Sequence, residues 1–200
     1  MKPRDRVMCT LAGEQPDRIP FCEGSVAQNI ARILVQTDRT VSEREISDFL
    51  KRDVVVAVVF PPYFANQGIG SDGQPYVTTG WIKTRADLDR MLLPDPHDRA
   101  LYASAQQVLD EKGDYATAAA IKHGVAPMLI SMGLDNFAYA LVDDPDLIRE
   151  VLKRYVDWQL VVTERLCKMG FDFIWSFDDI AFKSGPFCSR QVFQEFLMPA

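Results

Sequence analysis

The sequence predicts an α/β fold built on parallel strands. Three observations carry this: residues 54–60 (VVVAVVF) are apolar on both faces, other short apolar runs alternate with helical patterns, and the strands lack the in-out alternation of a half-exposed antiparallel sheet. Parallel strands need crossover connections, and helices supply them. With 200 residues, 48% hydrophobic and 25% charged, the chain has material for a sizeable core, and one domain is the default.

The elements follow in order. Pro3 suits a first helical turn, Val7, Met8 and Leu11 give that helix an apolar side, and Gly13 stops it. After a turn at 15–18, residues 19–22 (IPFC) read as a first strand. Ser25 can then cap a helix bearing Val26, Ile30, Ile33 and Leu34. Ser42 and Glu45 form a capping box for a helix with Ile46, Phe49 and Leu50 on its inner side, and residues 54–60 are the second strand. Glycines at 68, 70, 73 and 80 break residues 66–83 into β-prone pieces, a hairpin-like excursion. Thr84 with Asp87 starts another helix, which Pro94 and Pro96 stop, and Leu101, Ala105, Val108 and Leu109 mark the next, ended by Gly113. Residues 115–122 are the third strand by context, since alanine has weak strand propensity. A helical region covers 127–142. Asp144 and Pro145 then open a long helix with Ile148, Val151, Leu152, Tyr155 and Val156 inward, closed by Gly170. Residues 171–177 are the fourth strand and 178–186 a loop. Ser189 caps a final helix carrying Val192, Phe193, Phe196 and Leu197.

Composition excludes several functions. The net charge is −6 without a basic cluster, so a nucleic-acid partner has no electrostatic footprint. No GxGxxG or GxxxxGK[ST] follows a strand, which removes the phosphate-cradling glycines of dinucleotide and P-loop sites. No window approaches the roughly 18 apolar residues of a membrane span and no signal-peptide core is visible, so a cytoplasmic protein with no membrane partner is expected. Cys9, Cys22, Cys167 and Cys188 have neither CxxC nor HxC spacing; reduced thiols and no metal site are expected.

Two stretches resemble a known family. MKPRDRV at 1–7 with GEQPDRIP at 13–20 is similar to the opening of uroporphyrinogen-decarboxylase-like proteins, and DFIWSFDDIAFKSG at 172–185, running on through Ser189, Phe193, Phe196 and Pro199, resembles their strand-loop-helix. Asp95-Pro96 and Asp144-Pro145 fall between them in the family's order. The resemblance implies a (β/α)₈ TIM barrel of which residues 1–200 hold about the first four β-α units. A closed barrel takes about 250 residues, so a half barrel would leave open strand edges, fit either for the rest of a longer chain or for a second copy in a homodimer.

Active sites of such barrels lie at the C-terminal ends of the strands. Asp178 and Asp179, adjacent carboxylates after the fourth strand, are the catalytic candidates, because two close carboxylates can push one pKa upward. Asp179 also suits a loop cap on the amides of Ala181 or Lys183. Glu23, Tyr63, His123, Lys183 and Ser184 are the substrate-binding candidates. His123 equally reads as an exposed turn histidine and Glu23 as a helix cap. Met128, Met132 and the aromatic residues 171, 173, 175 and 177 read as core.

The family's decarboxylases hold substrate carboxylates with arginines after the first strand, where this chain reads FCEGSVA at 21–27. An FSDI-like motif is replaced by FPPY at 60–63, and FDSWAG by FDDIAF at 177–182, which keeps Asp178. These departures point away from porphyrinogen decarboxylation and toward the family's other branch, corrinoid-linked methyltransferases or demethylases acting on a small molecule, with a corrinoid protein as partner. The zinc of that branch would be held by residues of the barrel's second half. Residues 1–200 themselves require no known cofactor. An inactive half barrel serving as a binding or assembly module is the contrasting expectation.

Overall fold

The computed structural model describes residues 1–24, 26–71, 73 and 75–199. The chain divides into two compact units, Met1–Val59 with Asp98–Ala120 and Thr163–Trp175, and Phe60–His97 with Ile121–Val162 and Ser176–Ala200.

The first unit holds helices α1 (Pro3–Leu11), α2 (Gln28–Val35) and α3 (Glu43–Leu50), strand β1 (Val54–Val58) and helix α4 (Ala103–Glu111). Strand β4 (Ala116–Ile121) pairs parallel with β1 in the register Val54↔Ala116 to Val58↔Ala120. Every residue of β4 is buried. Its alanines contribute small volume rather than strand propensity, which suits a strand packed on both faces. The Ser42–Glu45 capping box is present, while Phe49 lies half exposed instead of facing the core. Helix α2 begins at Gln28 with Ala27 before it; the cap expected at Ser25 lies outside the described residues.

The expected first strand does not form. Residues 19–22 make one rung beside β1: Asp53 N–H donates to Phe21 O (2.7 Å), and Phe21 N–H donates to the Asp53 carboxylate (2.8 Å). Pro20 has no N–H to continue a ladder, and Ile19 is 87% exposed. The sheet is therefore three-stranded, order β1-β4-β5 with β5 at Phe173–Ser176, and it is not closed. Four β-α units are corrected to three strands.

Fully buried Asp53 organises this end of the unit. Arg6 and Arg18 both bond its carboxylate, and Arg6 also binds Asp17. Asp172, just before β5, accepts from Thr117 N–H (2.9 Å) and from Arg4 (2.7 Å). Buried charge is tolerable where it is paired and hydrogen-bonded this completely.

In the second unit an antiparallel hairpin, β2 (Ala65–Ile69) and β3 (Pro75–Gly80), lies against α5 (Val125–Met132). A β-carbon on Gly80 would fall 2.4 Å from Ser131 O, so only glycine lets the two backbones approach this closely. The helical region expected at 127–142 is two helices, α5 and α6 (Leu134–Asp143), meeting at 94°. Gly133, at φ +79°, takes the bend. Helix α7 (Pro145–Met169) presents Leu147, Ile148, Val151, Leu152 and Tyr155 to a core that includes Met128, Met132 and Phe137. Thr84 and Asp87 form a capping box as read, on a 3₁₀ turn at Arg85–Arg90. After β5 a two-rung hairpin, Ala181–Phe182 with Gly185–Pro186, precedes the helical turn that Ser189 caps.

Candidate functional site

The second unit gathers polar groups where the strands end. Lys122, directly after β4, has a side chain only 9% exposed. Its ammonium donates to Phe177 O (2.9 Å), stands 3.7 Å from the Asp179 carboxylate and lies 5.2 Å above the Phe60 ring. Carbonyl, carboxylate and ring face together replace the water a buried ammonium loses.

Asp178 and Asp179 part company, as alternation at a strand end requires. Asp178 accepts the Ala126 N–H at the start of α5 (2.9 Å), and its second oxygen is buried without a hydrogen-bond partner. That contact is a helix cap, and the unpartnered oxygen is an acceptor awaiting a donor. Asp179, 76% exposed, meets Lys122 and lines the cleft described below.

Tyr63 is half buried. Burial raises its phenol above the ordinary value, and the charges of Asp179 and Asp178 raise it further, so the hydroxyl remains a protonated donor. Both of its neighbours are pinned from behind. Tyr155 O–H donates to Pro62 O (3.0 Å), and Phe64 N–H donates to Ser131 Oγ (3.0 Å). The 2.7 Å bond between the two hydroxyls must then run from Ser131 to Tyr155, whose single proton is already committed.

His123 is exposed, and its Nδ1 lies 2.8 Å from Ser176 Oγ. Lys183 and Ser184 are exposed in the turn of the small hairpin. Glu23 is a residue of the first unit, exposed, its backbone carbonyl held by Arg52 (2.9 Å). The structure thus brings together Tyr63, Asp178 and Asp179, and adds Lys122, which the reading of the sequence passed over. A charged residue ending a strand that is otherwise entirely buried was the signal available for it.

Beside these groups lies an open apolar cleft of about 280 Å³, walled by Val77, Leu129, Leu134, Phe182 and Phe187, with Asp179 at its edge. Phe182 and Phe187 meet edge to face at 4.4 Å. The volume is just below the roughly 300–1,000 Å³ of small-molecule sites. Among the described residues no three His, Cys, Asp or Glu side chains converge as a metal site. Burial pushes the Cys22 thiol up to about 11, leaving it protonated near neutrality.

No family model matches the chain, and no curated protein does. Among solved structures it is similar to a methyltransferase from Methanosarcina mazei, with a TM-score of 0.66 and 16% identity over 98% of this chain and 64% of that one. At that identity the likeness shows the fold alone, a methyltransferase-like α/β fold with an open parallel sheet, and the chain spans about 64% of the length of its match.

Proposed function

We propose that the chain belongs to an enzyme of the uroporphyrinogen-decarboxylase-like superfamily that transfers a methyl group to or from a small molecule, with a corrinoid protein as the methyl carrier. The observation that carries this is the apolar cleft beside Asp179, Tyr63 and Lys122 at the strand ends, in a chain that shares its fold with a methyltransferase. An apolar wall excludes water from a methyl group, and the strand-end carboxylate with the Tyr63 hydroxyl orients the polar part of the acceptor. Lys122 is a positioning residue here: it holds Phe177 O and stands beside Asp179, fixing the turn that carries both aspartates. The absence of arginine from 21–27 argues against an octa-acid porphyrinogen.

The test is to incubate the protein with methylcobalamin and a panel of amine, thiol and phenol acceptors, following methylated product by mass spectrometry, with porphyrinogen decarboxylation assayed in parallel. Methylated product that Asp179→Asn abolishes is expected. Porphyrinogen turnover, or no transfer to any acceptor, would overturn the proposal.

A further inference from the structure

We infer that the cleft selects an organic cation with an apolar body, of the tertiary or quaternary ammonium class, whose nitrogen has no lone pair and so gives up a methyl group to the corrinoid carrier, leaving the neutral amine, and never accepts one. This deepens the methyl-transfer proposal and rests on its reading that the cleft is the substrate site. Of the described residues that line the cleft, Asp179 alone is ionisable, and the rest of the wall is aliphatic, aromatic or threonine. The threonines offer a ligand one hydroxyl proton between them: Thr78 Oγ1 already donates to Asn66 O (3.2 Å), while Thr79 Oγ1 accepts from the Asn66 amide (3.0 Å) and keeps its own proton. A neutral polar ligand therefore finds few partners, and an anion meets the Asp179 carboxylate.

The local charge points the same way. Lys122 offsets one of the two carboxylates, and its ammonium is turned to Phe177 O, 3.7 Å from Asp179 and outside hydrogen-bonding distance. Asp178 and Asp179 outnumber Lys122 at the strand ends, and Lys183 is exposed in the turn of the neighbouring hairpin. Phe182 and Phe187 add half-exposed aromatic surface, to which a weakly hydrated alkylammonium is drawn by the ring quadrupole while its methyl groups bury against Leu129 and Val77. Because Asp179 is largely in water, its attraction is screened, and the preference for a cation over a neutral body of the same shape should be about tenfold.

Calorimetric titration with choline and with its neutral carbon isostere, in which carbon replaces the quaternary nitrogen, tests this directly. Choline is expected to bind about tenfold more tightly. Asp179→Asn should shrink the preference to the roughly two- to fivefold that the rings supply, without moving the melting temperature, and Phe182→Ala should weaken choline through the ring instead of the charge. Equal binding of the two probes, a preference undiminished in Asp179→Asn, or no binding of either overturns the inference. The two proposals fail separately: methyl transfer to a thiol or phenol by a protein that ignores choline sinks only this one, whereas choline binding without methyl transfer in either direction sinks only the other.

Discussion

Asp178 and Asp179 stand side by side in the chain and meet different partners. Asp178 bonds the Ala126 amide at the start of α5, so Asp178→Ala should cost about 1 kcal/mol, the usual worth of a lost cap, and lower the melting temperature by about 2–4 °C in a chain of this size. Asp179→Asn should leave the melting temperature where it is, because an exposed carboxylate 3.7 Å from its partner contributes little to folding. Calorimetry of the two variants separates the roles; an unchanged melting temperature for Asp178→Ala would remove the cap. That both aspartates lie at a strand end was readable from their place after the apolar run 171–177. That one serves a helix and the other a cleft was not, because the helix amide is 52 residues earlier in the chain. Lys122 and Phe177 are 55 residues apart, and His123 and Ser176 are 53 apart; pairings at such range leave no mark on local pattern.

At the scale of elements, the contact of β3 with α5 sets one wall of the cleft and depends on Gly80. Gly80→Ala places a methyl group against the backbone of residues 131–133, which cannot rotate away, and should cost about 1–3 kcal/mol as overpacking does. Thermal denaturation gives the cost. Hydrogen exchange should show β3 amides losing protection before those of β1, and uniform loss would mean that the hairpin is not what yields. The capping boxes at Ser42 and Thr84 and the cap at Ser189 were legible because a cap is complete within four residues. The strand expected at 19–22 was not, because its partner decides it: Asp53 engages Phe21 at both its N–H and its C=O, and an isolated apolar tetrad does not record that. Gly133 ends α5 and turns the chain 94° where periodicity alone runs straight on.

Across the whole molecule, stability should depend on acid pH through paired carboxylates. Arg39 holds Glu45 down to about 2, Arg6 holds Asp17 well below the carboxylate range, and Arg85 does the same for Asp144. A depressed folded-state pKa contributes stability that is fully present above the unfolded value near 4 and is lost as pH falls through the folded one. The melting temperature should therefore hold steady from pH 7 to about 5, then fall progressively between about 4 and 2. Scanning calorimetry across that range checks it, and a flat profile down to pH 2 would show that these pairs do not matter to folding. The three-stranded order β1-β4-β5 follows the sequence order of the apolar runs, which is why the α/β class could be read before any contact was known. The hydroxyl relay behind Tyr63 carries a different kind of consequence. Its donors run one way only, from the Phe64 amide to Ser131, and from Ser131 through Tyr155 to Pro62. One buried pair of hydroxyls thus anchors the backbone on both sides of Tyr63.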